Sequence, residues 1–234
     1  VQGDVETALS KVADHDVRVV CAGRTDSGVH ASWQIIHFDT SAERSERSWV
    51  LGTNANLPDD AGLLWAREVD AGFHARFSAQ TRCYRYIILN RDVPSALLHR
   101  RVTWVHQALD ESRMQDGARY LLGEHDFSSF RALACQARSP VRTLYRLDIK
   151  RSGAYLYLDV EANAFLHHMV RNIAGVLIAV GRGVHNSHGV KDILDKRDRT
   201  QGGVTAPANG LYLVGVRYPE KYGIGPLGVM PEFG

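Results

Sequence analysis

The sequence predicts an α+β fold in two halves, with mixed, mostly antiparallel sheets. Three observations carry this. Strands and helices alternate, but without the regularity of a doubly wound sheet. A hairpin signal, Ser152-Gly153, separates two β-type runs at 141–150 and 154–161. A helix–strand–loop–strand–helix grammar before residue 76 gives way to a strand–helix–hairpin–helix–strand grammar after it. The expected division is an N-terminal domain over 1–76, carrying an acidic loop, and a C-terminal domain over 77–234. No internal repeat is visible.

In chain order, Val5, Ala8, Leu9 and Val12 recur at helical spacing and predict an amphipathic helix, ended by Asp14-His-Asp16. Val17–Cys21 is apolar and β-branched, a buried strand, and Gln34–Phe38 is a second one. Ser45 is the candidate N-cap of a helix over 45–54. A turn at Asn56-Leu-Pro-Asp-Asp60 leads to a strand over 62–69. Thr81–Leu89 is a strand with interleaved aromatic and basic residues. A helix over 109–122 is expected to stop at Gly123 in the C′ position. The strongest helical pattern covers 166–180, a short helix covers 189–196 and a last strand 211–218. The Gly- and Pro-rich tail from Tyr222 is expected to be poorly ordered or packed as coil.

With 234 residues, 44% hydrophobic and 23% charged, the chain suits one large core or two modest domains. Its longest apolar stretch, 173–180, contains a glycine and is flanked by Arg171 and Arg182, well short of the ~20 residues of a membrane span. No signal peptide is recognisable, although the sequence does not begin with Met. Cys21, Cys83 and Cys135 are far apart and lack zinc-ligand spacing, so reduced thiols in a cytoplasmic protein are expected, with Cys21 a small core residue. A formal charge of +2 says little about partners. Clustering says more. Arg76, Arg82, Arg85, Arg91, Arg100 and Arg101 form one group, residues 131–151 hold a second, and Lys196, Arg197 and Arg199 form a third. Guanidinium groups suit phosphate, although 26 acids are available to pair with the 28 cations.

The chemistry concentrates at Gly23-Arg-Thr-Asp-Ser-Gly-Val-His30, a Gly-rich loop directly after a strand. Asp26 lies two residues from Arg24, and a carboxylate beside a guanidinium stays ionised. That suits a nucleophile or general base rather than a general acid. An Asp in such a turn is otherwise ordinary turn chemistry. No Walker or Rossmann signature accompanies it.

This octapeptide closely resembles the active-site signature of the bacterial tRNA pseudouridine synthase A (TruA) family. Further blocks resemble the family in the same order: Asn54-Ala-Asn-Leu-Pro58, Phe73-His-Ala-Arg-Phe-Ser-Ala79, Tyr84-Arg-Tyr-Ile-Ile88, Leu122–Arg131, Asn163–Ile173 and Gly210-Leu-Tyr-Leu-Val214. Family members open with a strand and a basic aromatic stretch upstream of the helix with which this sequence starts. The expectation is therefore a sheet lacking its N-terminal strand, with an exposed apolar edge.

The resemblance implies two ferredoxin-like domains around a central cleft, and isomerisation of uridine to pseudouridine at tRNA positions 38, 39 and 40 in the anticodon stem-loop. It implies no cofactor and no metal, a homodimer, and a tRNA that touches both subunits. Asp26 corresponds to the catalytic aspartate and Arg171 to the arginine that pairs with it. Arg24 corresponds to the arginine that fills the space left by the flipped base. Tyr84 corresponds to the tyrosine that stacks on that base and serves in proton transfer, and Leu211 to the apolar residue beneath it. Arg76 joins the substrate-binding set. His30 suits a phosphate contact or a structural hydrogen bond. Alone, Tyr84 reads as cross-strand packing and Leu211 as core. His167 and His168, about 100° apart if helical, are read as packing or RNA-facing residues and not as metal ligands.

Two rivals remain at this level. A non-catalytic RNA-binding module gains nothing from Asp26, which repels phosphate. A hydrolase using Asp26 as general base calls for a second acid or a metal cluster, and Asp59-Asp60 reads as solvated turn.

Overall fold

A computed structural model describes residues 1–225 and 228–233. In chain order its elements are α1 (Gln2–Ala13), β1 (Val20–Cys21), β2 (His30–Ala31), β3 (Ile36–His37), α2 (Glu46–Asn54), β4 (Thr81–Asn90), β5 (Thr103–Val105), α3 (Glu111–Arg119), β6 (Gly123–Asp126), β7 (Val141–Ser152), β8 (Tyr155–Ala162), α4 (Met169–Gly181), α5 (Gly189–Lys196) and β9 (Leu211–Arg217). The architecture is α+β with strands running in both directions. No helix among the described residues is long and apolar enough to cross a membrane.

The chain folds as two compact units. The first comprises residues 1–24, 35–79 and 219–223, and the second 25–34, 80–218 and 224–234. The acidic loop from Thr25 onward belongs to the second.

In the first unit, Leu9 and Ala13 of α1, Val17, Val19 and Trp49 of α2 form a core closed by Ile36 and Phe38. A Cβ on Gly52 would lie 2.9 Å from Val12, so a glycine there lets α1 and α2 approach closely. The Ser45 hydroxyl accepts from the Ser48 N–H, which caps α2. The strand expected over 62–69 does not form. At its start the Leu63 backbone turns to a side chain instead: the Asn54 amide accepts from the Leu63 N–H at 2.7 Å and donates to the Leu63 carbonyl at 2.8 Å. The predicted strand over 17–21 contracts to β1, paired antiparallel with β3, and Cys21 is half-buried rather than core.

The second unit is built on a seven-stranded sheet of order β2-β9-β4-β8-β7-β6, with β5 pairing the end of β4. β2–β9 and β4–β5 are parallel pairs and the others antiparallel. Cys83, Ile87 and Leu89 of β4 face one side with Tyr157, Tyr212 and Val214, and Met230 and Phe233 of the tail pack there. The described part of the tail is thus packed coil; Tyr157 donates its phenol proton to the Phe233 carbonyl and accepts from the Phe233 N–H. Residues 226, 227 and 234 of that tail lie outside the described residues. Helix α4 is buried along most of its length, and its buried Asn172 donates to the Phe130 carbonyl and accepts from Arg199 and Thr205.

Two helix boundaries differ from the sequence reading. The helix expected over 109–122 is α3, started by Asp110, whose carboxylate accepts from the Arg113 N–H. Gly123 takes φ +93° to open β6 instead of ending a helix. The helix expected from Leu166 starts at Met169, because His168 adopts a left-handed conformation at φ +62°.

Candidate active site

The Asp26 loop follows from its glycine. The Val29 N–H donates to the Asp26 carbonyl at 3.0 Å, and Gly28 sits at φ +82°. That is the pattern of a type II turn, which places glycine at its third residue. The loop is then pinned: β2 pairs with β9 at His30–Tyr212 and Ala31–Leu213, and Ser32 N–H donates to the Leu213 carbonyl. A turn fastened to a sheet two residues later holds its side chain at a fixed place.

Both carboxylate oxygens of Asp26 are engaged. Nε2 of His167 lies 3.1 Å from Oδ1, a hydrogen bond if the ring carries its proton there. Arg171 donates from one terminal nitrogen to Oδ2 at 3.2 Å, and Nε2 of His168 is 3.2 Å from the same oxygen. The side chain of Asp26 is 29% exposed and that of Arg171 16%. The carboxylate is thus partly shielded, held by one permanent cation and open on one side.

Arg171 stands in the first turn of α4 and is itself held. Its Nε donates to the Ala206 carbonyl at 2.9 Å, and the Ala206 N–H donates back to the Arg171 carbonyl at 3.1 Å. The segment around Ala206 lies against α4 because residue 175 is glycine: a Cβ there would sit 1.9 Å from the Val204 carbonyl oxygen.

The two histidines reach Asp26 because they precede the helix. His168 turns the chain with its positive φ, and the His167 carbonyl accepts from the Ala132 N–H at 2.8 Å. The helical divergence expected of them therefore does not apply. With Asp26 they bring three ligand-type atoms within 4.8 Å of one another, close enough to meet on one ion. Arg171 already places a fixed positive charge against that carboxylate, which disfavours a second cation there. Burial holds the His168 pKa below the ordinary histidine value; Asp26 opposes this, while His167, Arg171 and Arg199 reinforce it.

The remaining predicted residues fall as follows. Tyr84 is buried on β4 at a bulge in the β4–β9 register, and its ring meets Phe165 edge-on at 5.1 Å, two residues before His167. Leu211 opens β9 opposite Tyr86 and is buried. His30 makes a structural bond, donating from Nε2 to the Arg100 carbonyl at 2.9 Å and stacking on Tyr212. Arg24 and Arg76 belong to the first unit and are exposed; Arg76 lies over the Phe77 ring at 5.7 Å. Several arginines of the basic clusters are structural. Arg85 pairs with Asp159, Arg82 donates to the Asn163 carbonyl, and Arg151 holds Glu111 and the Leu109 carbonyl.

Comparison with known proteins agrees in one direction. The model of the family described as tRNA pseudouridine synthase matches residues 118–219. A tRNA pseudouridine synthase A of Methylococcus capsulatus is 58% identical over 96% of this chain and 83% of its own length. One of Coxiella burnetii is 54% identical over 100% and 89%, and one of Legionella pneumophila 53% over 96% and 86%. With this identity along nearly its whole length, the chain belongs to the tRNA pseudouridine synthase A family, an isomerase family that converts uridine to pseudouridine.

Proposed function

We propose that this chain isomerises uridines 38, 39 and 40 in the anticodon stem-loop of tRNA, with Asp26 as the nucleophile on a flipped-out uridine. The observation that carries the reading is the Asp26 carboxylate itself: partly shielded, bonded on one oxygen by Arg171, and presented on a turn pinned to the sheet. A carboxylate so oriented suits attack on the uracil ring and on the ribose anomeric carbon alike.

The reaction balances within one nucleotide. The bond from the anomeric carbon to N1 breaks, one to C5 forms, C5 gives up its proton and N1 gains one. No redox partner or phosphoryl donor enters, so the chemistry asks only for a nucleophile, a proton carrier and a site that holds the free base. In this reading Arg171 holds Asp26 in place and aims it. Tyr84 supports the base and carries the C5 proton, Leu211 packs beneath the ring, and Arg24 occupies the gap in the RNA stack. Arg76 serves the RNA backbone, and His30 supports the site through its bond to the Arg100 carbonyl. The reading extends to a cytoplasmic homodimer that shares one tRNA between subunits; the three free cysteines suit a reducing compartment.

The test is pseudouridine formation in an unmodified tRNA with uridines at those positions, for this protein and its Asp26→Asn variant. Pseudouridine from the first alone supports the reading. Equal formation by both removes Asp26 from the mechanism. Sedimentation of the free protein and of its tRNA complex measures the dimer.

A further inference from the structure

Residues 100–102 are held by an unusual set of bonds. Three successive carbonyls each accept from a different side chain: Arg100 from His30 Nε2 at 2.9 Å, Arg101 from the Tyr212 hydroxyl, and Val102 from Asn209 Nδ2 at 3.0 Å. The donors sit on β2, on β9 and just before β9. Burial pushes the Tyr212 phenol up to about 12, so it remains a donor throughout the neutral range. The result is Arg100 at φ +61°, a left-handed conformation that a residue with a Cβ adopts only when its surroundings impose it.

Strain of this kind points to a use. Glycine would occupy the position without cost, yet the residue is arginine, and its side chain is exposed. Among the described residues its guanidinium has no ion-pair partner. It borders an open concavity together with Ser27, Gly28, His30, Ala208 and Asn209. Ser27 and Gly28 directly follow Asp26 in the sequence. This lining offers the Arg100 guanidinium and the Ser27 hydroxyl, while the His30 imidazole and the Asn209 carboxamide donate to the carbonyls that hold residues 100–102, and it contains no carboxylate. A concavity of that composition beside the proposed nucleophile suits an anion.

We infer that Arg100 is a phosphate clamp: the bonded carbonyls of residues 100–102 fix its backbone, and its guanidinium grips an RNA backbone phosphate adjoining the target uridine. The inference rests on the reading that Asp26 acts on a uridine in RNA. It adds a second anchor on the β4–β5 connection, so that the nucleotide is held by its backbone while its base meets Asp26. His30 then acts as a positioning residue through the Arg100 carbonyl.

The experiment measures tRNA binding and single-turnover pseudouridine formation for wild type, Arg100→Gln, Arg100→Lys and Arg100→Gly. Arg100→Gln should weaken binding about tenfold at physiological salt and lower the slope of log K against log salt by about one phosphate. Arg100→Lys should recover part of the affinity. Arg100→Gly should bind as weakly as Arg100→Gln while melting at or above the wild-type temperature, which separates the clamp from folding. A neutral methylphosphonate on either side of the target uridine should, at one of the two positions, weaken wild type and leave Arg100→Gln unaffected. Unchanged affinity and slope in Arg100→Gln, or methylphosphonate effects that add fully to the substitution, overturn the proposal. If wild type binds tRNA yet forms no pseudouridine, the reading of Asp26 fails, while the binding comparison still decides the role of Arg100.

Discussion

One terminal nitrogen of Arg171 lies 3.2 Å from Oδ2 of Asp26, while its Nε donates to the Ala206 carbonyl at 2.9 Å. One side chain thus joins the proposed nucleophile to the segment that leads toward β9. Lysine carries the charge but cannot make both bonds. Arg171→Lys should therefore lower kcat by about thirtyfold, the equivalent of about 2 kcal/mol for one charge-assisted hydrogen bond. KM for tRNA should change little, since the guanidinium serves the carboxylate and not the RNA. A rise in KM with kcat intact would reassign Arg171 to substrate binding.

Gly175 supports that arrangement from behind. A Cβ at this position would meet the Val204 carbonyl oxygen at 1.9 Å and the Val204 carbonyl carbon at 3.1 Å. Backbone cannot rotate away as a long side chain can. Gly175→Ala should push the segment near Ala206 off α4, destabilise the protein by about 3 kcal/mol and slow the reaction through Arg171. Chemical denaturation and turnover measured on the same preparation check both effects. Stability lost with turnover per folded molecule unchanged would show that Arg171 holds its place without Ala206.

These couplings explain which features were legible in the sequence. α1, α2, β4, α5 and β9 announce themselves through periodicity, a Ser45 cap or a β-branched run, all of them local signals. The Asp26 loop is legible because its glycine encodes the turn. The roles of His167 and His168 are not. A helical pattern runs through both, and only the left-handed turn at His168, fixed by what packs around it, directs them to Asp26. Arg100 is equally silent, because its conformation depends on three side chains distant in sequence. The missing strand over 62–69 shows the converse: its β-type composition finds side-chain partners at Asn54 and no ladder.

His168 gives the site a pH dependence with a defined sign. Burial lowers its pKa in the folded protein, so the unfolded chain binds its proton first as the pH falls. The groups facing it are Asp26, which favours the proton, and His167, Arg171 and Arg199, which oppose it. Its neutral form is fully present above the ordinary histidine value of about 6.5, and stability is lost below that value, down through the folded pKa. The melting temperature of wild type minus that of His168→Gln should fall as the pH drops from 7 to 5. A flat or rising difference would mean that His168 is not held neutral.

The Arg85–Asp159 pair offers the cleanest separation of stability from chemistry. The two face each other across β4 and β8, joined by bonds of 2.7 and 2.8 Å, with side chains 8% and 7% exposed. Arg85 also covers the Tyr157 ring at 4.9 Å. Removing one partner strands a buried charge, so Arg85→Met should cost about 3 kcal/mol. That lies at the lower end of the usual penalty, because Arg146 remains 3.6 Å from Asp159 and is itself half-exposed. Replacing both, as Arg85→Met with Asp159→Leu, leaves no charge to desolvate and should recover most of the loss. Urea unfolding at constant m-value measures the cycle. A double variant as unstable as the single one would mean that the pair is retained for packing against Tyr157 and the tail, and that its charge contributes little.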